Sequence, residues 1–274
     1  MSSLRRYLNL PSKRLIRERR LSRTATVNPQ PLFIFGNQKS GTTAVAALLA
    51  EATGVSVTLD FAGAWGRHAQ ALIRGKTPDT QFVRTNAWAF SAGIIKEPNL
   101  TFAAPRLLEH FKLKRAIFVV REPCANIRSI LARLKLPGDR ETLTQSEWRR
   151  IGPEWRMILL GQDIGFENDH YVEALALRWK RAAEIYGQLR SQLRLVRYED
   201  FNADKTGSIL ALARDFSLPV TADITPSLDR EFQPRAAAEW NALKFFGQQN
   251  LERIARICTE RASELGYRIP CGFG

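Results

Sequence analysis

Cysteine and histidine are scarce in this chain, with three of each in 274 residues. Cys124, Cys258 and Cys271 form no C-x-x-C pair and are odd in number, which argues against a disulfide framework or a thiolate zinc site. His68, His110 and His170 lack metal-ligand spacing, so no metal is implied. A reducing, cytoplasmic setting is expected, with Cys124 and Cys258 buried in helices. The first 30 residues hold no apolar run long enough for a signal peptide or a membrane span. Internal repeats and low-complexity tracts are absent. Acidic residues are also short: 27 Asp and Glu face 41 Lys and Arg, a formal net charge of +14. That balance implies anionic partners such as a nucleotide, an acidic glycan, nucleic acid or a membrane surface.

The charge is unevenly placed. Residues 1–30 carry eight Lys and Arg against the single Glu18, a surplus of seven. This segment reads as a basic arm, disordered or lying on the surface. Its sharper reading is a peripheral contact with a membrane through a short amphipathic helix. Residues 31–274 then form one large domain, and the chain as a whole, 45% apolar, can build its core.

Along that domain, apolar runs that read as strands alternate with helical patterns. Strands are expected at Leu32–Phe35, Val55–Leu59, just before Lys96, at Arg115–Val120 and at Leu193–Arg197. Helices are expected from Thr42 to Ala52 with Gly54 as a left-handed stop, at Gly66–Ile73, Leu100–Phe111 and Pro123–Leu134, then at Tyr171–Leu189, Thr206–Phe216 and Ala236–Leu265. The last has a break near Gly247, and Phe82–Phe90 is ambiguous. Residues 135–170 read as a helical insertion on the acceptor side. Its Trp148 and Trp155 suit either a sugar-stacking surface or core anchors. The order predicts an α/β domain with a doubly wound, mostly parallel sheet flanked by helices, like that of P-loop NTPases. Ligands then lie at the carboxyl ends of the strands. Gln38–Thr43, Asp60, Lys96–Asn99 and Arg121 fall at such ends.

The most informative stretch is Gly36-Asn-Gln-Lys-Ser-Gly-Thr-Thr43, a glycine-bounded loop between the first strand and the first domain helix. Strand, loop and helix in that order aim backbone N–H groups at one spot, where phosphate or sulfate binds. The glycine spacing is that of a P-loop, yet Thr42 stands where that motif requires Lys, and the lysine sits inside the loop at Lys39. A second constellation is Val119-Val-Arg-Glu-Pro-Cys-Ala-Asn-Ile-Arg-Ser129. There a guanidinium at a strand end and a hydroxyl two helical turns on suit a terminal phosphate. The bland alternative pairs Arg121 with Glu122.

Together the two stretches resemble the sulfotransferases that use 3′-phosphoadenosine-5′-phosphosulfate (PAPS). Gln38-Lys-Ser-Gly-Thr-Thr43 is similar to that family's 5′-phosphosulfate loop. Phe118-Val-Val-Arg-Glu-Pro123 with Ser129 is similar to its 3′-phosphate motif. Leu195–Asp200 and the Glu264-Leu-Gly-Tyr267 stretch resemble further family elements. The resemblance implies a sulfuryl-transfer enzyme that needs no metal and releases 3′-phosphoadenosine-5′-phosphate (PAP). It implies that Lys39 stabilises the leaving group, with Gln38, Ser40, Gly41, Thr42 and Thr43 around the 5′-phosphate. It also implies Arg121 and Ser129 on the 3′-phosphate, Tyr198 near the adenine, and a C-terminal basic loop for which Arg235 is the candidate.

The chain departs from family patterns at three places. Ala44 stands where many members carry Trp, Glu122 follows Arg121 in place of Asn or Asp, and Ile95 occupies the expected glutamate position before the Lys96–Pro98 turn. A base must still take the acceptor proton. Asp60, His68 and Glu97, in that order, are the candidates. The acceptor is expected to be a hydroxyl of a carbohydrate or glycolipid, with no nucleic acid as partner. Two rivals stay open: a P-loop kinase or NTPase, and a basic module binding anionic polymers or membrane through residues 1–30.

Overall fold

The computed structural model describes residues 13–230 and 240–269. Five short strands form one parallel sheet: β1 (Leu32–Phe35), β2 (Val57–Leu59), β3 (Ile94–Lys96), β4 (Ala116–Val120) and β5 (Leu193–Arg197), in the order β2-β3-β1-β4-β5. The strands are apolar on both faces because each face is covered. Ile34, Ile94, Ile117, Val119 and Val196 point to one layer, which holds α2 (Thr42–Thr53). Phe33, Phe35, Ile95, Phe118 and Val120 point to the other, larger layer. The architecture is the α/β sheet read from the alternation of elements, with helices on both faces.

The helices before this sheet's second half are α1 (Lys13–Leu21), α2, α3 (Gly66–Ile73), α4 (Asp79–Thr85) and α5 (Ala104–His110). Then come α6 (Pro123–Leu134), α7 (Gln145–Arg150), α8 (Pro153–Leu159), α9 (Tyr171–Gln188), α10 (Tyr198–Ala203), α11 (Lys205–Asp215) and α12 (Ala242–Glu264). Gly54 ends α2 in the left-handed conformation, φ +70°. Gly247 breaks the helical geometry inside α12. Cys124 and Cys258 are buried.

Several details differ from the sequence reading. The second strand starts at Val57 rather than Val55. The ambiguous 82–90 stretch is the end of α4 followed by a 3₁₀ turn at Ala89–Ser91. Residues Pro98–Ala103 are a 3₁₀ helix, because Glu97 caps the turn that Pro98 opens and α5 starts only at Ala104. The insertion contains α7, opened by a Thr144–Glu147 capping box, and α8, opened by Pro153. Trp148 and Trp155 are half-buried against the core.

Residues 1–30 read as an arm in the sequence, but the part described does not stand apart. Helix α1 packs on the 3₁₀ turn Ala62–Ala64, with Leu15 and Glu18 buried and the remaining charges outward. A buried Glu in a basic helix is tolerated because its carboxylate is fully hydrogen-bonded, to Arg14 and to the Ala62 N–H. Among the described residues no helix is long and apolar enough to cross a membrane.

Candidate active site

The loop after β1 is shaped by positive-φ residues. Gly36 (φ +142°), Lys39 (φ +65°) and Gly41 (φ +94°) turn the backbone so that α2 can start at Thr42. Only glycine fits at Gly41: a Cβ there would sit 2.4 Å from the Tyr198 ring. At Gly36 a Cβ would sit 2.3 Å from the Val119 carbonyl. The cap position of α2 is Gly41, which brings no capping side chain to the N–H groups of the first turn. Those groups and the helix dipole favour an anion.

Beneath the loop lies a buried polar network that sequence reasoning missed. Arg178, on α9 and fully buried, donates through Nε to Asn37 Oδ1 (3.1 Å) and Gln38 Oε1 (3.0 Å), and through Nη2 to Asn99 Oδ1 (2.9 Å). Its Nη1 pairs with the Asp163 carboxylate. Asn126, on α6, donates to the Gln38 carbonyl (2.8 Å) and Ser40 Oγ (3.0 Å) and accepts from Asn37 (3.0 Å). The loop is therefore built from below, its shape fixed before any ligand arrives. Burial depresses the Arg178 pKa, and Asp163 acts against that.

The wall from β4 carries Arg121. Its guanidinium lies 4.5 Å over the Tyr198 ring and donates from Nη1 to the Lys39 carbonyl at 3.4 Å. Its backbone carbonyl is held by Trp179 Nε1 at 2.9 Å. Arg121 Nε is buried without a partner among the described residues. Arg121 does not pair with Glu122. That glutamate caps α6, accepting from the N–H groups of Cys124 (3.0 Å) and Ala125 (2.6 Å), which is how Glu serves where Asn or Asp was expected. Burial raises the Glu122 pKa. Ser129 follows on the same helix, and Arg128 lies 4.7 Å over the Trp240 ring.

The wall from β2 and β3 carries Asp60 and Lys96. Asp60 adopts the left-handed conformation (φ +58°), and its Oδ1 accepts from Lys96 Nζ at 2.6 Å. Glu97 lies one layer deeper. Its oxygens accept from the N–H groups of Asn99 (3.1 Å) and Phe61 (3.3 Å) and from Trp65 Nε1 (3.0 Å). Burial first, and the Asp60 charge second, push its carboxyl up to about 8. His68 is exposed and faces Arg19, its Nε2 3.5 Å from Nη2. Partial desolvation of its ring, and then the Arg19 charge, lower its pKa although the residue as a whole is exposed.

These walls enclose a cleft of about 580 Å³. The structure brings Gln38, Lys39, Gly41, Thr42, Thr43, Asp60, Arg121, Ser129 and Tyr198 to its lining. Ser40 is buried beneath the loop, its hydroxyl taken by Asn126. Glu97 and His68 do not line the cleft, and Arg235 lies outside the described residues. Lining residues that sequence reasoning left out include Arg14, Trp65 and Arg128, while Lys96 was placed at a ligand-facing strand end without a role. Lys96 and Arg128 stand inside the motifs of the sequence; Arg14 and Trp65 carry no local signal.

No protein-family model matches the chain, and no curated protein does. Solved structures do. The chain is similar to mouse sulfotransferase SULT7A1 complexed with PAP, at 13% identity and a TM-score of 0.50, with 94% of this chain and 92% of that one covered. It is similar to sulfotransferase STF1 from Mycobacterium tuberculosis H37Rv at 14% identity and a TM-score of 0.51, with 93% and 86% covered. A glycine loop on a buried arginine, an arginine at the end of the neighbouring strand and a five-stranded parallel sheet thus stand on a backbone whose fold is that of the sulfotransferases.

Proposed function

We propose that the protein is a PAPS-dependent sulfotransferase that moves a sulfuryl group to a hydroxyl of a carbohydrate or glycolipid. The observation that carries this reading is the shared cleft. Lys39, the start of α2, Arg121 and Ser129 line one space of about 580 Å³, with Arg121 hydrogen-bonded to the Lys39 carbonyl at 3.4 Å. Arg121 Nε, buried and without a protein partner among the described residues, suits an anionic oxygen. A structural neighbour holds PAP, which agrees with such a ligand. Tyr198 lies against Gly41 and under Arg121, a position that suits the adenine side.

In this reading the acceptor oxygen attacks sulfur in line as the bond from sulfur to the bridging phosphate oxygen breaks. PAP leaves, and Lys39 neutralises the charge that develops on that oxygen. The proton of the hydroxyl passes to Asp60. Lys96 occupies Oδ1 of that carboxylate and leaves Oδ2 for the acceptor. Glu97 is a poorer base here because its oxygens already accept three N–H groups, and His68 because it lies outside the cleft.

Trp65 and Trp155, 5.7 Å apart on the acceptor side, offer apolar faces to a sugar ring. Helix α1 bears exposed Ile16 and Leu21 among exposed Lys13, Arg17 and Arg20. That face supports a peripheral contact with an anionic membrane surface from a cytoplasmic setting.

The first experiment is calorimetric binding of PAP, ADP and ATP without magnesium, to the wild type and to Arg121→Ala. Binding that needs the 3′-phosphate and weakens by about 1.5–3 kcal/mol in the variant, the scale of a hydrogen bond to a charged group, is the expected result. Equal or tighter binding of ATP would sink the donor assignment. Transfer of ³⁵S from PAPS to a panel of glycans and glycolipids then tests the acceptor class.

A further inference from the structure

We propose that α1 is a positioning element of the active site: Arg14 and Glu18 clamp the turn Asp60–Ala62 and so aim the Asp60 carboxylate at the acceptor. The inference rests on reading Asp60 as the base.

A left-handed aspartate at a strand end is strained and needs its surroundings to hold it. Every backbone polar group of the turn has an identified partner, the Phe61 and Ala62 carbonyls accepting from the Ala64 and Trp65 N–H groups. The Asp60 N–H donates to the Lys96 carbonyl (3.0 Å), continuing the pairing of β2 with β3. The side chain takes Lys96 Nζ at 2.6 Å. The Phe61 N–H donates to Glu97 at 3.3 Å. The two remaining ties come from α1. Arg14 Nη2 donates to the Asp60 carbonyl at 2.5 Å, and Glu18 Oε2 accepts from the Ala62 N–H at 2.7 Å. Arg14 Nε also donates to Glu18 Oε1 at 2.7 Å, so both carboxylate oxygens are used and the clamp is one closed unit.

The unit is anchored to the domain. Leu15 is buried, Ser22 Oγ donates to the Glu18 carbonyl at 2.9 Å, and the Trp88 N–H donates to Ser22 Oγ at 3.1 Å. Glu18 is almost fully buried, which a helix packed for surface charge alone does not require. Arg14, by contrast, is mostly exposed and lines the cleft. An exposed arginine adds little to stability. Its contact with the carbonyl of Asp60 is therefore read as orientation of the base rather than as support of the fold.

The test uses Arg14→Ala, Arg14→Lys, Glu18→Ala and Asp60→Asn in the full chain. Three readouts apply: turnover of [³⁵S]PAPS with octyl β-glucoside and with water as acceptors, calorimetric PAP binding, and hydrogen exchange over residues 60–64. Arg14→Ala and Glu18→Ala should lower kcat about 10–100-fold, as misplacing a reacting group does, with PAP affinity within about twofold of wild type. Exchange at residues 61 and 62 should rise, and Arg14→Lys should recover part of the rate. Adding Arg14→Ala to Asp60→Asn should cost nothing more, because both changes act on one group. Unchanged kcat in both alanine variants, with Asp60→Asn inactive, overturns the clamp and leaves the base in place. Wild-type kcat in Asp60→Asn overturns the base and the clamp with it. A loss of PAP affinity in Arg14→Ala as large as the loss of kcat would mark a general structural defect and overturn the positioning role.

Discussion

Gly41 is the residue on which the loop turns. A methyl group there meets the Tyr198 ring and a backbone conformation that L side chains rarely adopt. Gly41→Ala should push Tyr198 and its arginine partner away from the loop, and PAP binding by calorimetry should drop at least tenfold, about 1.4 kcal/mol. Lys39→Ala should act differently, lowering kcat while leaving PAP affinity far less changed, because its charge is used most as the bond to sulfur breaks. Glu97 sets a pH dependence. Its carboxyl is pushed up to about 8, so the folded state holds a proton that the unfolded state has released above the ordinary glutamate range near 4.5. The folded state therefore binds more protons between those values, and stability must fall as pH rises from about 4.5 towards 8. Melting curves across that window should show the decline, and Glu97→Gln should flatten it. At this scale Lys39 and Arg121 were legible because each sits in a short local motif. Arg178 was not, since its partners lie 15 to 141 residues away and a lone arginine in an amphipathic helix reads as a surface charge.

The elements were legible wherever a strand was continuously apolar or a helix had both a stop and a start signal. Strand β4, with charges on both sides of five buried residues, and α6, opened by Pro123, are of that kind. The 3₁₀ segment before α5 was not, because a glutamate cap followed by proline resembles an ordinary helix start. Helix α1 was missed as part of the domain because only two of its nine residues are buried, one of them a glutamate. Helix α9 matters most for the loop, through Arg178 and Trp179. Removing one partner of its buried ion pair leaves a charge uncompensated, so Arg178→Met or Asp163→Leu should cost about 3–5 kcal/mol in chemical denaturation. The double variant should cost less than the sum of the two, as pairs in direct contact do.

Across the molecule the two halves of the sheet meet at one cleft. One wall is built from β1, β4, β5 and α10, and the other from β2, β3, α1 and the insertion. Around the loop the cleft gathers Lys39, Arg121, Arg128 and Arg133, a cluster of positive charge. Attraction of that kind is screened, so PAP affinity should fall steadily between about 0.05 and 0.5 M salt, as surface potentials do. A flat salt response would count against an anionic ligand in this cleft.

The buried network under the loop has a consequence for how the protein reaches its working form. Asn37 and Gln38 meet Arg178 across 140 residues of chain, and Arg178 in turn waits on Asp163 and Asn99 from two other segments. Contacts that far apart in sequence form late, after the loops between them have closed. The anion cradle is thus a record of completed assembly. A nascent chain that has not yet delivered α9 carries the whole loop motif without the contacts that shape it, so the anion cradle arrives only with the finished tertiary structure.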